Sequence, residues 1–176
     1  VGDITAPKQE RRVSQVAIGI LRRDSEILLV EQMWDAPLPV WALPGGAVEP
    51  GEIVTEALVR EFREETGLTV EEIGPLAYFS EVDDGFERHH GLVFAFEIAR
   101  WSGSIAIDDP DDLVTRAAFM PIAEALKRIE SVPWRAVKEP AAAYLREEAG
   151  PGTVWMYRRD PSSPDEHLIG RVDSGI

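Results

Sequence analysis

One spacing constrains this 176-residue chain more than any other feature. Gly46 is followed by five residues and Glu52. Seven more residues lead to Arg60-Glu61-Phe62-Arg63-Glu64-Glu65-Thr66-Gly67-Leu68. On a helix turning roughly 100° per residue, Val54, Leu58 and Phe62 share one face, as an amphipathic core helix requires. Glu61 and Glu65 fall on or beside that face, with Glu64 a little further round. Arg60 stands four residues before Glu64 and can pair with it.

Carboxylates leaning toward a core break the binary pattern, because they are almost never fully buried unless paired. Crowded together they repel and raise each other's pKa values. A divalent cation removes the repulsion. Hard oxygen ligands select Mg²⁺, Mn²⁺ or Ca²⁺, and Mg²⁺ leaves coordination places for substrate phosphates. The bland alternative is a solvated acidic helix face; the preceding loop argues against it. Trp41-Ala42-Leu43 reads as a short strand stopped by Pro44. Gly45 and Gly46 permit close backbone approaches, and Pro50-Gly51 makes a second turn. Glu52 sits near the helix start, where negative charge is favoured, and Gly67 suits a left-handed stop.

This segment resembles the Nudix box, the signature of the Nudix hydrolases, at every defining position. The resemblance implies a loop-helix-loop that holds Mg²⁺, or Mn²⁺, against a pyrophosphate. Glu61 and Glu65 would be the main metal ligands, Glu64 a further ligand or the base for water, and Glu52 an additional, often water-mediated, contact. Arg60 would orient a carboxylate, and Gly46, beside Gly45, would shape the loop. Ile53 departs from the small hydroxyl residue common after the first glutamate, and Phe62 is a bulky choice for its apolar slot.

Hydrophobic residues make up 44% of the chain and charged residues 28%, a composition that supports a real core. No apolar stretch approaches a membrane span and no secretory signal is evident. Cysteine is absent, which excludes disulfides and is compatible with a cytoplasmic protein. The net charge of −14 repels polyanions, so broad nucleic-acid binding is not expected.

The pattern predicts strands over Val13–Leu21 and Glu26–Gln32 with a turn at Arg22–Ser25, then a Pro-containing loop to Val40. After the box it predicts one or two strands over Leu68–Ser80, a turn at Asp83-Asp84-Gly85, a strand over His90–Ile98 and an acidic loop over Trp101–Leu113. A last core strand spans Arg116–Met120. Pro121–Glu130 begins a helix with Pro at its start, and Trp134–Ala149 is helical but interrupted by Pro140. The expected fold is α/β, a mixed β-sheet in the α/β/α sandwich of the Nudix family. The domain would span 1–149, with resemblance strongest over 13–130. Residues 150–176 form a C-terminal extension whose β-rich runs suggest a hairpin; ordered, it could cover the core or join a homodimer interface.

Many Nudix members take their base from a carboxylate downstream of the box. Asp108, Asp109, Asp111 and Asp112 occupy that region, with Asp109 and Asp112 the candidates here against a plain solvated turn. His89 and His90 could meet phosphate or relay a proton, but polar strand ends are commoner. Arg22, Arg23 and Arg88 are possible phosphate partners. Trp34 is the stacking candidate for a base, whereas Trp41 reads as core. The expected activity is metal-dependent hydrolysis of a pyrophosphate bond in a nucleoside diphosphate linked to another moiety. The alternatives are a nucleoside triphosphate pyrophosphohydrolase, or a nucleotide-sensing Nudix module without turnover. Subfamily marks for NADH, ADP-ribose, diadenosine polyphosphates or coenzyme A are not found.

Overall fold

The computed structural model describes residues 12–33, 38–84, 89–159 and 165–174. In chain order the elements are β1 (Arg12–Ile20), β2 (Arg22–Arg23), β3 (Glu26–Gln32), β4 (Val40–Ala42), β5 (Gly45–Ala47), α1 (Val54–Thr66), β6 (Thr69–Asp84), β7 (His89–Ser102), β8 (Val114–Pro121), α2 (Ile122–Glu130), α3 (Arg135–Leu145), β9 (Thr153–Arg159) and β10 (Glu166–Val172).

A six-stranded sheet runs β10-β9-β6-β7-β1-β5. It is mixed: β1 pairs parallel with β7 and β6 with β9, and the other pairs are antiparallel. The second sheet is antiparallel and centred on β3. Along it β8 pairs with the whole strand, while β2 and β4 share the other edge. Alternation sends Ala17, Leu21 and Leu28 to one side, where Ala57, Leu58 and Phe62 of α1 cover them. Ile18, Ile20, Ile27 and Leu29 face the other side, under Ala125 and Ile129 of α2 and Ala136 and Ala141 of α3. Both faces of β3 and of the Ala17–Ile20 end of β1 are therefore buried, which explains their nearly continuous apolar runs. The result is the expected α/β/α sandwich.

Several boundaries differ from the sequence pattern. The turn expected over Arg22–Ser25 narrows to Asp24-Ser25, because Arg22–Arg23 pair onto β3, while β1 and β3 lie in different sheets. Gly45 and Gly46, read as loop, form a short strand against β1. β6 is one long strand with bulges, and the last core strand extends to Val114–Pro121. The C-terminal runs pair as an antiparallel hairpin, and β9 joins β6 in parallel register.

Pro140 does not interrupt α3. A proline there leaves the carbonyl four residues earlier, that of Ala136, without its helical donor. Ser80 on β6 supplies one: its hydroxyl donates to Ala136 O at 3.2 Å. Glu166 of β10 accepts from Ala136 N at 2.8 Å, so the hairpin also caps the start of this helix. No helix among the described residues is long and apolar enough to cross a membrane.

Candidate active site

Two glycines and one aromatic ring set α1 against the sheets. A Cβ on Gly19 would stand 2.1 Å from Phe62 Cε2, so the bare backbone of β1 is the seat for that ring. A Cβ on Gly46 would stand 2.5 Å from the Glu61 carboxyl carbon. The β5 backbone thus meets the acidic flank of α1 directly. Gly45 adopts φ 140° and donates its N–H to Glu65 Oε2 at 2.7 Å.

Arg60 organises the remaining carboxylates. Its Nε and Nη2 donate to the two oxygens of Glu52, at 2.8 and 3.0 Å. Nη1 donates to Glu61 Oε1 at 2.8 Å and to Glu64 Oε2 at 3.0 Å, and Nη2 also reaches Ala47 O at 2.9 Å. One guanidinium therefore holds three glutamates and the strand before them, as its planar fork allows. Ile53, at the N-cap, has no side-chain acceptor for the first turn of α1. Glu56 compensates in part by accepting from Ile53 N at 3.0 Å.

The electrostatics separate the carboxylates. Glu65 is 6% exposed, and burial pushes its pKa up to about 8 against the Gly45 hydrogen bond; Glu61, Asp109 and Glu64 add repulsion. Burial also raises Glu61, outweighing the Arg60 hydrogen bond. The hydrogen bond from Arg60 lowers Glu52. Arg60 itself is held firmly in its charged form, chiefly by Glu52.

The acidic loop is carried to this cluster by the end of α1. Gly67 takes φ 76° and caps the helix onto Arg63 O. Ala106 N and Asp108 N then donate to Thr66 O and Glu64 O, both at 2.9 Å. A Cβ at Gly67 would strike Ala106 O at 2.4 Å. Asp109 follows, with its carboxylate accepting from Asp111 N, Leu113 N and Val114 N at 3.1, 2.8 and 2.7 Å. Its charge reaches both Glu61 and Glu65. Asp112 is exposed, sits at φ 53° and makes a turn back to Asp109 O.

The other candidates have different partners. His89 meets Ser14 Oγ at 2.7 Å, and His90 meets Glu81. Arg22 pairs with Glu97, and Arg23 pairs with Glu26 while lying over the Phe119 ring. Trp41 is buried in the core, as its position suggested. Trp34 and Arg88 lie outside the described residues. Sequence reasoning missed Gly19 and the 106–108 segment. A lone glycine inside the apolar run of β1 was the available signal for close packing.

The donor set fits a hard divalent cation. Glu61, Glu64 and Glu65 each keep one oxygen outside the hydrogen bonds just described. Carboxylate oxygens are what Mg²⁺ and Mn²⁺ prefer, and a buried carboxylate with a raised pKa gains most from a cation. Among the described residues, no three acidic or imidazole groups already stand at ligand spacing.

Comparison with known proteins agrees with the fold and the box. The model of the NUDIX domain matches residues 10–139. The chain is 45% identical over 81 residues to the ADP-ribose pyrophosphatase of Methanocaldococcus jannaschii, covering 46% of this chain and 48% of that protein. It is 32% identical over 91 residues to the 8-oxo-dGTP diphosphatase of Escherichia coli, covering 51% of this chain and 68% of that one. A solved structure of the mutator MutT protein from Bacillus halodurans superposes with a TM-score of 0.66 at 18% identity, covering 90% of this chain and 96% of the other.

Proposed function

The chain belongs to the Nudix family, and from that premise we propose that it hydrolyses a pyrophosphate bond in a nucleoside diphosphate linked to another moiety, with Mg²⁺ as cofactor and Mn²⁺ as a substitute. The observation that carries this reading is the grip of Arg60 on Glu52, Glu61 and Glu64 beside the buried Glu65. Glu61, Glu65 and Glu64 would hold the cation, and Glu52 would contribute through water. A bound divalent cation neutralises phosphate oxygens and lowers the pKa of water. Arg60 fixes the carboxylates, Gly45 orients Glu65, and Gly46 lets Glu61 approach the strand. Glu64 or Asp109 accepts the proton of the attacking water, with Asp112 in support of the loop. The docking of the 106–108 segment on the end of α1, and the exposure of Asp112, support Asp109 over Asp112.

A nucleoside triphosphate is the second substrate class, favoured by the similarity to the Escherichia coli 8-oxo-dGTP diphosphatase. The matched segment spans about half of the Methanocaldococcus jannaschii relative, so its substrate is a candidate here only. The absence of cysteine fits a cytoplasmic location. The test is a panel of ADP-ribose, nucleotide sugars, dinucleotides, triphosphates and 8-oxo-dGTP, each with Mg²⁺ and with Mn²⁺. A nucleoside monophosphate and a phosphorylated second product are expected; a monophosphate and pyrophosphate would select the triphosphate reading. Saturable nucleotide binding without cleavage across the panel would overturn the enzyme reading in favour of a sensor.

A further inference from the structure

On the α1 side, the helical layer covers only part of the six-stranded sheet. The core beneath α1 takes in Phe96 and Ile98 of β7 with Val70 and Ile73 of β6, and stops short of Phe94 and Phe79. Strand register lays out what lies beyond. Phe94 stands opposite Phe79, Phe79 opposite Val154, and Val154 opposite Val172, an apolar row from β7 to the sheet edge. The rings of Phe79 and Phe94 lie 5.0 Å apart. The next row holds Leu92, Glu81, Met156 and Gly170. Their alternates Tyr78, Ala95, Trp155 and Tyr157 point to the other face and are buried in the α2–α3 core.

Among the described residues, Phe79, Leu92, Phe94, Val154 and Met156 pack into neither core and stay half-buried, and Val172 is 56% exposed. A sheet face left to water reads polar at alternate positions. This panel is apolar except at Glu81 and Gly170, and contiguous apolar surface of that kind marks contact with another surface. Charge selects the occupant. The chain carries −14, so two copies repel over most approaches. On the panel the carboxylates are partnered: Glu81 by His90, and Asp83, in the row after, by Arg158 at 3.7 Å. Two copies meeting here bring no unpaired carboxylates together. A basic partner finds no free charge on the panel and is drawn to the acidic surface elsewhere.

We propose that this panel of β7, β6, β9 and β10 is a homodimer interface, packed face to face on the same panel of a second copy. A two-fold axis makes each copy present the same residues, so apolar row meets apolar row, as in other sheet-on-sheet packings. The matched family domain ends at residue 139, so the C-terminal hairpin supplies two of the four strands. The proposal stands independently of the hydrolase reading.

Light scattering and sedimentation of the full chain, from about 1 to about 200 μM, read the association. A concentration-dependent shift from one chain to two is expected. Added salt should tighten it, because screening weakens the repulsion between two acidic chains. Val154→Glu should raise the dimer Kd about 100-fold by burying an unpaired charge, and Phe79→Ala about tenfold by removing an aromatic anchor. Ile105→Glu, at an exposed position outside the panel, should leave the Kd unchanged. Should Val154→Glu fail to fold by circular dichroism, Phe79→Ala and the parent decide. In the parent, oxidation of Met156 by excess peroxide, read by mass spectrometry, should slow several-fold from dilute to concentrated protein. A chain that stays monomeric across the range overturns the proposal. So does a dimer whose Kd Phe79→Ala does not move, or a Met156 oxidation rate independent of protein concentration.

Discussion

Arg60 grips Glu52 through two parallel hydrogen bonds, Nε to Oε1 at 2.8 Å and Nη2 to Oε2 at 3.0 Å. The remaining donor of the fork reaches Glu61 and Glu64. A lysine has one charged nitrogen and cannot reproduce that geometry. Arg60→Lys is expected to keep the fold and lower kcat/KM by about 10- to 100-fold, as loss of support around metal ligands typically does. Arg63→Lys, on the exposed flank of the same helix, should leave kcat/KM unchanged. Steady-state kinetics of the two variants, with circular dichroism, checks the pair; equal kinetics would remove Arg60 from the machinery.

Glu65 predicts the pH dependence. Its pKa is raised to about 8 in the fold from an ordinary 4.5, first by burial. Between those values the folded chain holds a proton that the unfolded chain has lost. Without a divalent cation, the contribution of Glu65 to stability is therefore whole below pH 4.5 and is lost progressively as pH rises to about 8. Glu61 shifts in the same direction. A cation displaces the proton, so Mn²⁺ affinity should climb with pH up to about 8 and then level. Tm measured from pH 5 to 9 should fall without Mg²⁺ and fall less with it. Glu65→Gln should flatten the cation-free profile, weaken Mn²⁺ binding and abolish most activity. Normal turnover in that variant would contradict the assignment.

Asp109 and Asp112 separate the two readings of the acidic loop. Asp109 is tied by three backbone N–H groups and is felt by Glu61 and Glu65; Asp112 is an exposed turn residue at φ 53°. Asparagine tolerates a left-handed backbone, so Asp112→Asn should leave activity within about twofold. Asp109→Asn removes charge while keeping one acceptor oxygen. If Asp109 is the base, kcat should fall by about 10²- to 10⁴-fold and the acidic limb of the pH–rate profile should vanish. A small loss without a change in profile would assign proton transfer to Glu64 and leave Asp109 as the loop's anchor.

Much of this site was legible because its residues act through local spacing. The 60/61/64/65 pattern fixes which carboxylates lean inward whatever α1 packs against, and Gly67 marks the stop by its backbone alone. What lay hidden depends on residues distant in sequence. Nothing near Glu65 indicates that Gly45 N would hold it, because that bond needs β5 to form on β1. The acidic run at 108–112 could not rank its own members, because the docking of the 106–108 segment on the helix end is a contact between residues roughly forty positions apart. Pro140 misled for the same reason, since the hydroxyl that satisfies Ala136 O comes from Ser80 on another element.

Gly19 and Phe62 provide the most direct test of that long-range fit. Phe62 is fully buried, and its ring occupies the space a Cβ on Gly19 would fill. Gly19→Ala should destabilise by about 1–3 kcal/mol through overpacking, although alanine suits a strand better than glycine does. Phe62→Leu alone leaves a cavity and should cost a similar amount. Combined, the alanine methyl enters the space the shorter side chain vacates. The double variant should then be more stable than the sum of the singles by about 0.5–3 kcal/mol. Urea unfolding of the four proteins in the cycle measures this coupling. Additive losses would show that Phe62 can turn away from β1 without strain. A cooperative cycle with parallel loss of kcat/KM in Gly19→Ala would show that α1 must sit this close to β1 for its glutamates to meet Gly45 and Gly46.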